Sequence, residues 1–296
     1  MIFVERTQCP PSLDLGVAAS AASLELEACK KHWNDTGIPP PTETFQAYKG
    51  GEVRPALTAM FKGKCAYCES PVSGSSQTDI EHYRPKGGIS DSANHPGYWW
   101  LAMDWGNLVL SCMHCNQGRR QLILDPDMTE DQIREAIDRN DLTTTGKRNA
   151  FPTEGGLWVT DFAGSVDTEK PLLLDPTRTD PEPLVDWVLD GMLSTIRAKD
   201  GNERAEKTID LLGLNRRYLT EARVQTLNDL HDIDAKIDRH LRRIAAAETQ
   251  EDAEDALGTV NDFLDLVIAR CDAAKPYAGL ARAYLSKVEA KVAAML

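Results

Sequence analysis

Two Cys-x-x-Cys pairs bracket the part of the sequence that can do chemistry. Lys64-Cys65-Ala66-Tyr67-Cys68 opens the stretch, and Ser111-Cys112-Met113-His114-Cys115-Asn116 closes it. Each short spacing lets one turn offer two thiolates to a single tetrahedral ion. Cys65, Cys68, Cys112 and Cys115 are therefore expected to hold a structural Zn2+. The 43 residues between Cys68 and Cys112 exceed the roughly 15–20 of a common zinc ribbon. The excess is explained if the two knuckles clamp an inserted hairpin. Four thiolates leave no open coordination position, so hydrolytic chemistry must come from other residues.

Those residues stand inside the clamp. Glu81-His82 occupies adjacent positions of an expected strand, Ile80–Tyr83, which sends the two side chains to opposite sides of the pleat. They can still share one site if it lies along the strand edge. A carboxylate with an asparagine oxygen suits a hard divalent ion, Mg2+ or Mn2+, which keeps several waters and takes phosphate oxygens. A neutral His beside it can remove a proton from water. Asn116 is expected at the start of a helix beginning after Cys115, near backbone N–H groups that favour anions. His95, in the turn-like Asn94-His95-Pro96-Gly97, and His114, inside a zinc knuckle, compete for a role; Asn116 is preferred to His114. His32, His231 and His240 read as packed or solvated helix residues.

This set resembles an HNH endonuclease of the ββα-metal type in a His-Asn-Asn form, carried by Glu81-His82, Asn107-Leu108 and Cys112-x-x-Cys115-Asn116. The resemblance implies that His82 is the general base and that Glu81 and Asn116 hold the catalytic ion. It also implies that Asn107 braces the loop between the strands and keeps His82 in place. Arg84, Lys86, Arg119 and Arg120 are expected to meet phosphates. Over most of its length the chain is similar to the HNH subunit of Septu-type and retron-associated anti-phage systems. The segments that carry this are Cys65–Glu69, Ile80–Lys86, Tyr98–Ala102 and Leu108–Asn116, with later echoes at Phe151-Pro152, Pro171–Pro176 and Leu212–Arg216. That family implies an ABC-type ATPase partner and DNA as the most expected substrate. The alternatives are an RNA- or tRNA-directed nuclease of the same chemistry, and a zinc-stabilised scaffold that does not cut.

The elements that must position these residues follow from pattern. The fold class expected is α+β, predominantly helical. A central zinc-clamped ββα-metal (HNH) module, 61–155, lies between an N-terminal helical region, 1–60, and a C-terminal one, 156–296. Leu13, Val17, Leu24 and Ala28 suggest one inward stripe, and Pro55–Phe61 a second helix. Leu108–Ser111 reads as the second strand of the module. Tyr98-Trp99-Trp100 reads as local core, with base stacking the sharper alternative. Thr129-x-x-Gln132 is a capping box, Thr143–Lys147 a loop, and Leu157–Phe162 and Pro171–Leu174 possible strands. From Gly201 onward the pattern is helical, with a stop at Gly213.

Composition limits the function classes. The content is 42% hydrophobic and 27% charged, ordinary for a globular protein. No apolar run approaches the length of about 18 residues that spans a membrane, and the first residues lack a signal-peptide pattern, so a cytoplasmic location is expected. Seven cysteines in 296 residues are too sparse for a disulfide scaffold. The net charge of -13 argues against a broad DNA-gripping face, because phosphate contact dominates such affinity. Either the basic residues concentrate at the site or a partner supplies the grip. No Gly-x-x-x-x-Gly-Lys-Ser/Thr loop is present, so the chain is not itself an ATPase of that type.

Overall fold

The computed structural model describes residues 1–72, 78–190 and 193–295. Helix α1, Ala21–Thr36, starts where the Ser20 side chain accepts the Ser23 N–H, and it stops at Gly37 in the left-handed region. This start changes the expected stripe. Ala22, Ser23 and Cys29 face inward, whereas Leu24 is 62% exposed and Val17 is 50% exposed. At about 100° per residue, Cys29 returns to the face of Ala22 and Leu24 turns away from it. Helix α2, Val53–Met60, buries Leu57 and Met60, with Phe61 behind them.

Strand β1, Thr78–His82, pairs antiparallel with β2, Leu108–Cys112, in a register that sets Glu81 opposite Val109 and His82 opposite Leu108. A single turn, α3, Met113–Asn116, follows directly. Strand β3, Arg119–Leu122, pairs with β4, Leu142–Thr145, across helix α4, Glu130–Arg139. The Thr129–Gln132 capping box forms as expected. The expected loop at Thr143–Lys147 begins instead as β4. Its run of β-branched threonines suits a strand, and Gln121 Nε2 ties it down by donating to Thr145 Oγ1 at 2.8 Å.

The strands expected at Leu157–Phe162 and Pro171–Leu174 do not form; a bridge between Thr153 and Pro171 is what remains. The Glu169 carboxylate takes the Val159 N–H at 2.8 Å, where a ladder partner would otherwise sit. A short hairpin of β5, Val185–Trp187, and β6, Ile196–Ala198, comes later. The C-terminal part is helical as expected: α5, Glu203–Leu212, α6, Arg217–Ala245, α7, Gln250–Arg270, and α8, Ala278–Met295. Helix α5 ends at Gly213 (φ 57), whose N–H reaches Asp210 O, while the Leu214 N–H reaches Ile209 O.

The result is a helix-rich mixed protein with small two-stranded antiparallel sheets. One buried apolar cluster joins Leu13 and Leu57 to Tyr67, Trp99 and Leu110, and these to Leu230, Val260 and Val288. Tyr98 and Trp99 are fully buried; Trp99 packs edge-on against Trp100, and Tyr98 against Phe151. These rings are core and present no free face to a base. No helix is long and apolar enough to cross a membrane among the described residues.

Candidate active site

The four knuckle cysteines are buried, and their sulfurs lie within 4.8 Å of one another. Cys68 Sγ and Cys112 Sγ are 3.8 Å apart. A tetrahedral Zn2+ with bonds of about 2.3 Å sets its sulfurs about 3.8 Å apart, whereas a disulfide needs about 2.05 Å. The surroundings suit negative sulfur. The Cys112 N–H points at Cys65 Sγ at 3.3 Å, and the Arg216 guanidinium reaches Cys115 Sγ at 3.7 Å and Cys112 Sγ at 4.0 Å. The residues therefore fit a structural zinc ion, and Arg216, at the head of α6, offsets part of its thiolate charge.

The second knuckle is laced to the segment after β4. Lys147 N–H donates to Cys115 O at 2.8 Å, and Arg148 N–H donates to Asn116 O at 2.6 Å. Gly146 makes this approach possible. It sits at φ 110, and a Cβ there would lie 2.0 Å from Gln117 O. Gly146→Ala is expected to destabilise the protein by at least about 2 kcal/mol, through backbone strain and displacement of Lys147. A denaturant midpoint unchanged from wild type would refute this.

Lys147 is fully buried and holds the hairpin from behind. Its Nζ lies 2.7 Å from Glu81 Oε1 and donates to His82 O at 2.8 Å. Burial pushes the Glu81 carboxyl up from its usual range, against the pull of Lys147. His82 is held down at about 3, first by burial and then by Lys86, so its imidazole is neutral. Its Nε2 lies 2.8 Å from the Ala102 carbonyl oxygen. A carbonyl only accepts, so Nε2 carries the hydrogen and Nδ1 keeps the lone pair. The Tyr48 ring packs edge-on against the imidazole, centroids 4.6 Å apart.

Asn107 stitches the two ends of the loop between β1 and β2. Its Oδ1 accepts the Arg84 N–H at 2.7 Å, and its Nδ2 donates to Arg84 O at 3.0 Å and to Leu101 O at 3.1 Å. The next carbonyl along the chain, that of Ala102, is the one that meets His82. Asn107 and His82 thus hold neighbouring points of the same loop.

A cavity of about 940 Å3 opens beside β1. Four consecutive residues, Asp79 to His82, line it, so it runs along the free edge of β1 and not over one face of the pleat. This is how Glu81 and His82 come to share a site. Asn116 lines it too, with Lys49, Arg54, Lys86 and Arg148. None of these four cations forms an ion pair among the described residues, and the carboxylates lining the cavity are Asp79 and Glu81. Asn116 Nδ2 donates to Asp79 Oδ2 at 2.8 Å, as Gln117 Nε2 does at 3.1 Å. With its amide hydrogens so directed, Asn116 Oδ1 is left as an acceptor, and Glu81 keeps Oε2. The oxygen set fits a hard divalent ion that retains waters. Among the described residues, the four cysteines are the compact group of three or more His, Cys and carboxylate ligand atoms.

Several expected residues stand elsewhere. Asn116 is the last residue of α3, not in the first turn of a helix starting after Cys115, because the helix begins at Met113 with Cys112 as its cap. It therefore borrows no helix N-terminal N–H groups. Arg84 is buried, its Nε 2.8 Å from Glu169 Oε2 and its guanidinium above the Phe151 ring. It is not placed to meet a phosphate. Arg119 and Arg120 line a different cavity with His114, while Lys86 lines the one at Glu81. His114 Nδ1 lies 3.0 Å from Gln121 Oε1, and His95 is buried against Val159 O. Sequence reasoning missed Asp79, Lys147, Lys49, Arg54 and Arg148. Asp79, two positions before Glu81 on one strand, carried the one local signal.

Fold and site together define a helix-rich protein with a buried cluster of four cysteines, able to hold a metal ion, beside a cation-lined cavity. No protein-family profile matches the chain, and no solved structure matches it significantly. The chain is 35% identical over 236 residues to the Septu protein PtuB of Bacillus mycoides (strain KBAB4), covering 78% of this chain and 68% of that protein. It belongs to the PtuB family of Septu proteins. It is also 28% identical over 178 residues to the Septu protein PtuA of the same organism, covering 58% of this chain and 20% of PtuA.

Proposed function

We propose that the chain is a metal-dependent HNH endonuclease, acting on DNA as the effector of a Septu-type anti-phage complex. The observation that carries the reading is the convergence of Glu81, His82 and Asn116 on one cavity with four cations that form no ion pair among the described residues. A scaffold would need the four cysteines and not this convergence. Glu81 and Asn116 would hold a Mg2+ or Mn2+ ion, which supplies charge stabilisation at the phosphate and the leaving oxygen. His82 Nδ1 takes a proton from water as the water oxygen bonds to phosphorus; the 3′ oxygen departs. The arriving phosphodiester anion favours the protonated imidazole, offsetting the burial that holds His82 neutral. Lys147 fixes the Glu81 carboxylate, and Asn107 fixes the loop that carries Ala102 O. Lys49, Arg54, Lys86 and Arg148 attract and seat the phosphate backbone.

This arrangement answers the charge problem of an acidic chain. Lys49, Arg54, Lys86 and Arg148 give the cavity a local excess of positive charge over Asp79 and Glu81, and further grip falls to a partner. Likeness to PtuB and to a part of PtuA supports membership of such a system; the ATPase partner follows from the family resemblance. The test is cleavage of matched DNA and RNA by the zinc-loaded chain with Mg2+ or Mn2+, with and without that partner. DNA cleavage that needs the added ion is expected. Cleavage of RNA alone would move the assignment to an RNA nuclease, and no cleavage under any condition would leave the scaffold reading.

A further inference from the structure

We propose that a second cavity, which shares the lining residue Gly118 with the first, holds the nucleic-acid strand that flanks the reacting phosphate. This rests on the nuclease reading and adds the binding subsite beside it. The second cavity has a volume of about 500 Å3. His114, Arg119, Arg120, Arg216, Arg217 and Tyr218 line it, and no carboxylate does among the described residues. The chain has 46 acidic against 33 basic residues, so a typical surface hollow would carry acids.

The arginines divide by role. Arg216 is turned to the knuckle sulfurs. Arg217 pairs with Glu221, one helical turn along α6, at 2.7 Å. Arg119 donates to Gln117 Oε1 at 3.1 Å, and its Nε is buried without a partner. Arg120 is exposed and forms no ion pair among the described residues. Arg119 and Arg120 therefore supply the uncompensated charge.

Two further features favour a nucleotide strand over other polyanions. Tyr218 is 75% exposed, with the Arg217 guanidinium 5.8 Å from its ring centroid. An exposed aromatic face beside cations is a stacking platform for bases. Gly118 lines both cavities, and the Arg148 side chain lies across it; a Cβ there would be 2.6 Å from Arg148 Cδ. A strand leaving the Glu81 cavity would pass over Gly118, between Arg148 and Arg119, to Tyr218; the acidic side chains of the two linings, Asp79 and Glu81, both belong to the first cavity.

The test uses Arg120→Ala and Tyr218→Ala, both exposed positions, alone and combined. Binding of a labelled single-stranded oligonucleotide is read across salt in a His82→Ala background, so that the strand stays whole. Turnover is read in the otherwise wild-type chain on an oligonucleotide and on bis(p-nitrophenyl) phosphate, a diester too small to reach Tyr218. The double variant is expected to weaken oligonucleotide binding about tenfold or more. Arg120→Ala is expected to lower the salt slope by about one. The ratio of kcat/KM for oligonucleotide over small diester is expected to fall by a similar factor. Equal binding and equal salt slope in wild type and variants would overturn the proposal and leave an acidic protein surface as the class of ligand. If no substrate is cut but the binding differences appear, the nuclease reading fails and the subsite stands.

Discussion

His82→Ala is expected to lower phosphodiester cleavage by about 10²–10⁴-fold, the usual contribution of a positioned general base. The reason lies in the tautomer. Nε2 is occupied by the Ala102 carbonyl at 2.8 Å, so the lone pair is confined to Nδ1. Among the described residues, no other imidazole lines the cavity. Folding should survive the change. His82 borders the cavity, so water can reach the vacated Ala102 oxygen, and a cost of about 1–2 kcal/mol is expected. The measurement is cleavage by wild type and variant at matched zinc content, with thermal unfolding as the control. Added imidazole should restore part of the lost rate, because the missing group is a small neutral base. Cleavage by His82→Ala at the wild-type rate would remove His82 from the mechanism.

Cys115→Ser is expected to have the largest effect on stability. The residue is fully buried, and its sulfur faces the Arg216 guanidinium at 3.7 Å. Losing one thiolate opens the tetrahedron and leaves Arg216 with less compensation in a buried place. Structural zinc contributes an apparent ~10–16 kcal/mol in small zinc domains, comparable with the whole stability of a typical fold at about 5–15 kcal/mol. The variant, or wild type treated with a strong chelator, is therefore expected to lose bound zinc and cooperative unfolding together. The loss should extend past the knuckles. Lys147 and Arg148 are hydrogen-bonded to Cys115 O and Asn116 O, and Arg216 is the N-cap of α6. Metal content by atomic emission and circular dichroism melts would decide the matter. A zinc-free Cys115→Ser protein that melts like wild type would mean the sulfurs do not hold a metal.

What could be read from the chain alone was local. Each Cys-x-x-Cys pair is a contiguous signal, and all four sulfurs do gather. The two strands of the hairpin appear close to the expected Ile80–Tyr83 and Leu108–Ser111, with β1 starting two residues earlier, and the Thr129–Gln132 cap and the Gly213 stop form as their neighbouring residues dictate. Family membership was legible too, because it rests on ordered motifs, and likeness to PtuB bears it out.

Partnership across the chain was decided by the tertiary structure. From the sequence Arg84 is expected to meet a phosphate, yet its partner is Glu169, 85 positions away. Once a guanidinium is buried, its carboxylate partner is what keeps the charge compensated, and no local pattern reveals that partner. Lys147 lies 65 positions from the His82 carbonyl it holds. Lys49, Arg54 and Arg148 come from separate turns and meet only when α2, β1 and the segment after β4 pack together. Spacing along the sequence determines which side chains share a turn or a strand. Which charges stay free to meet a ligand depends on whether folding has already given each one a partner.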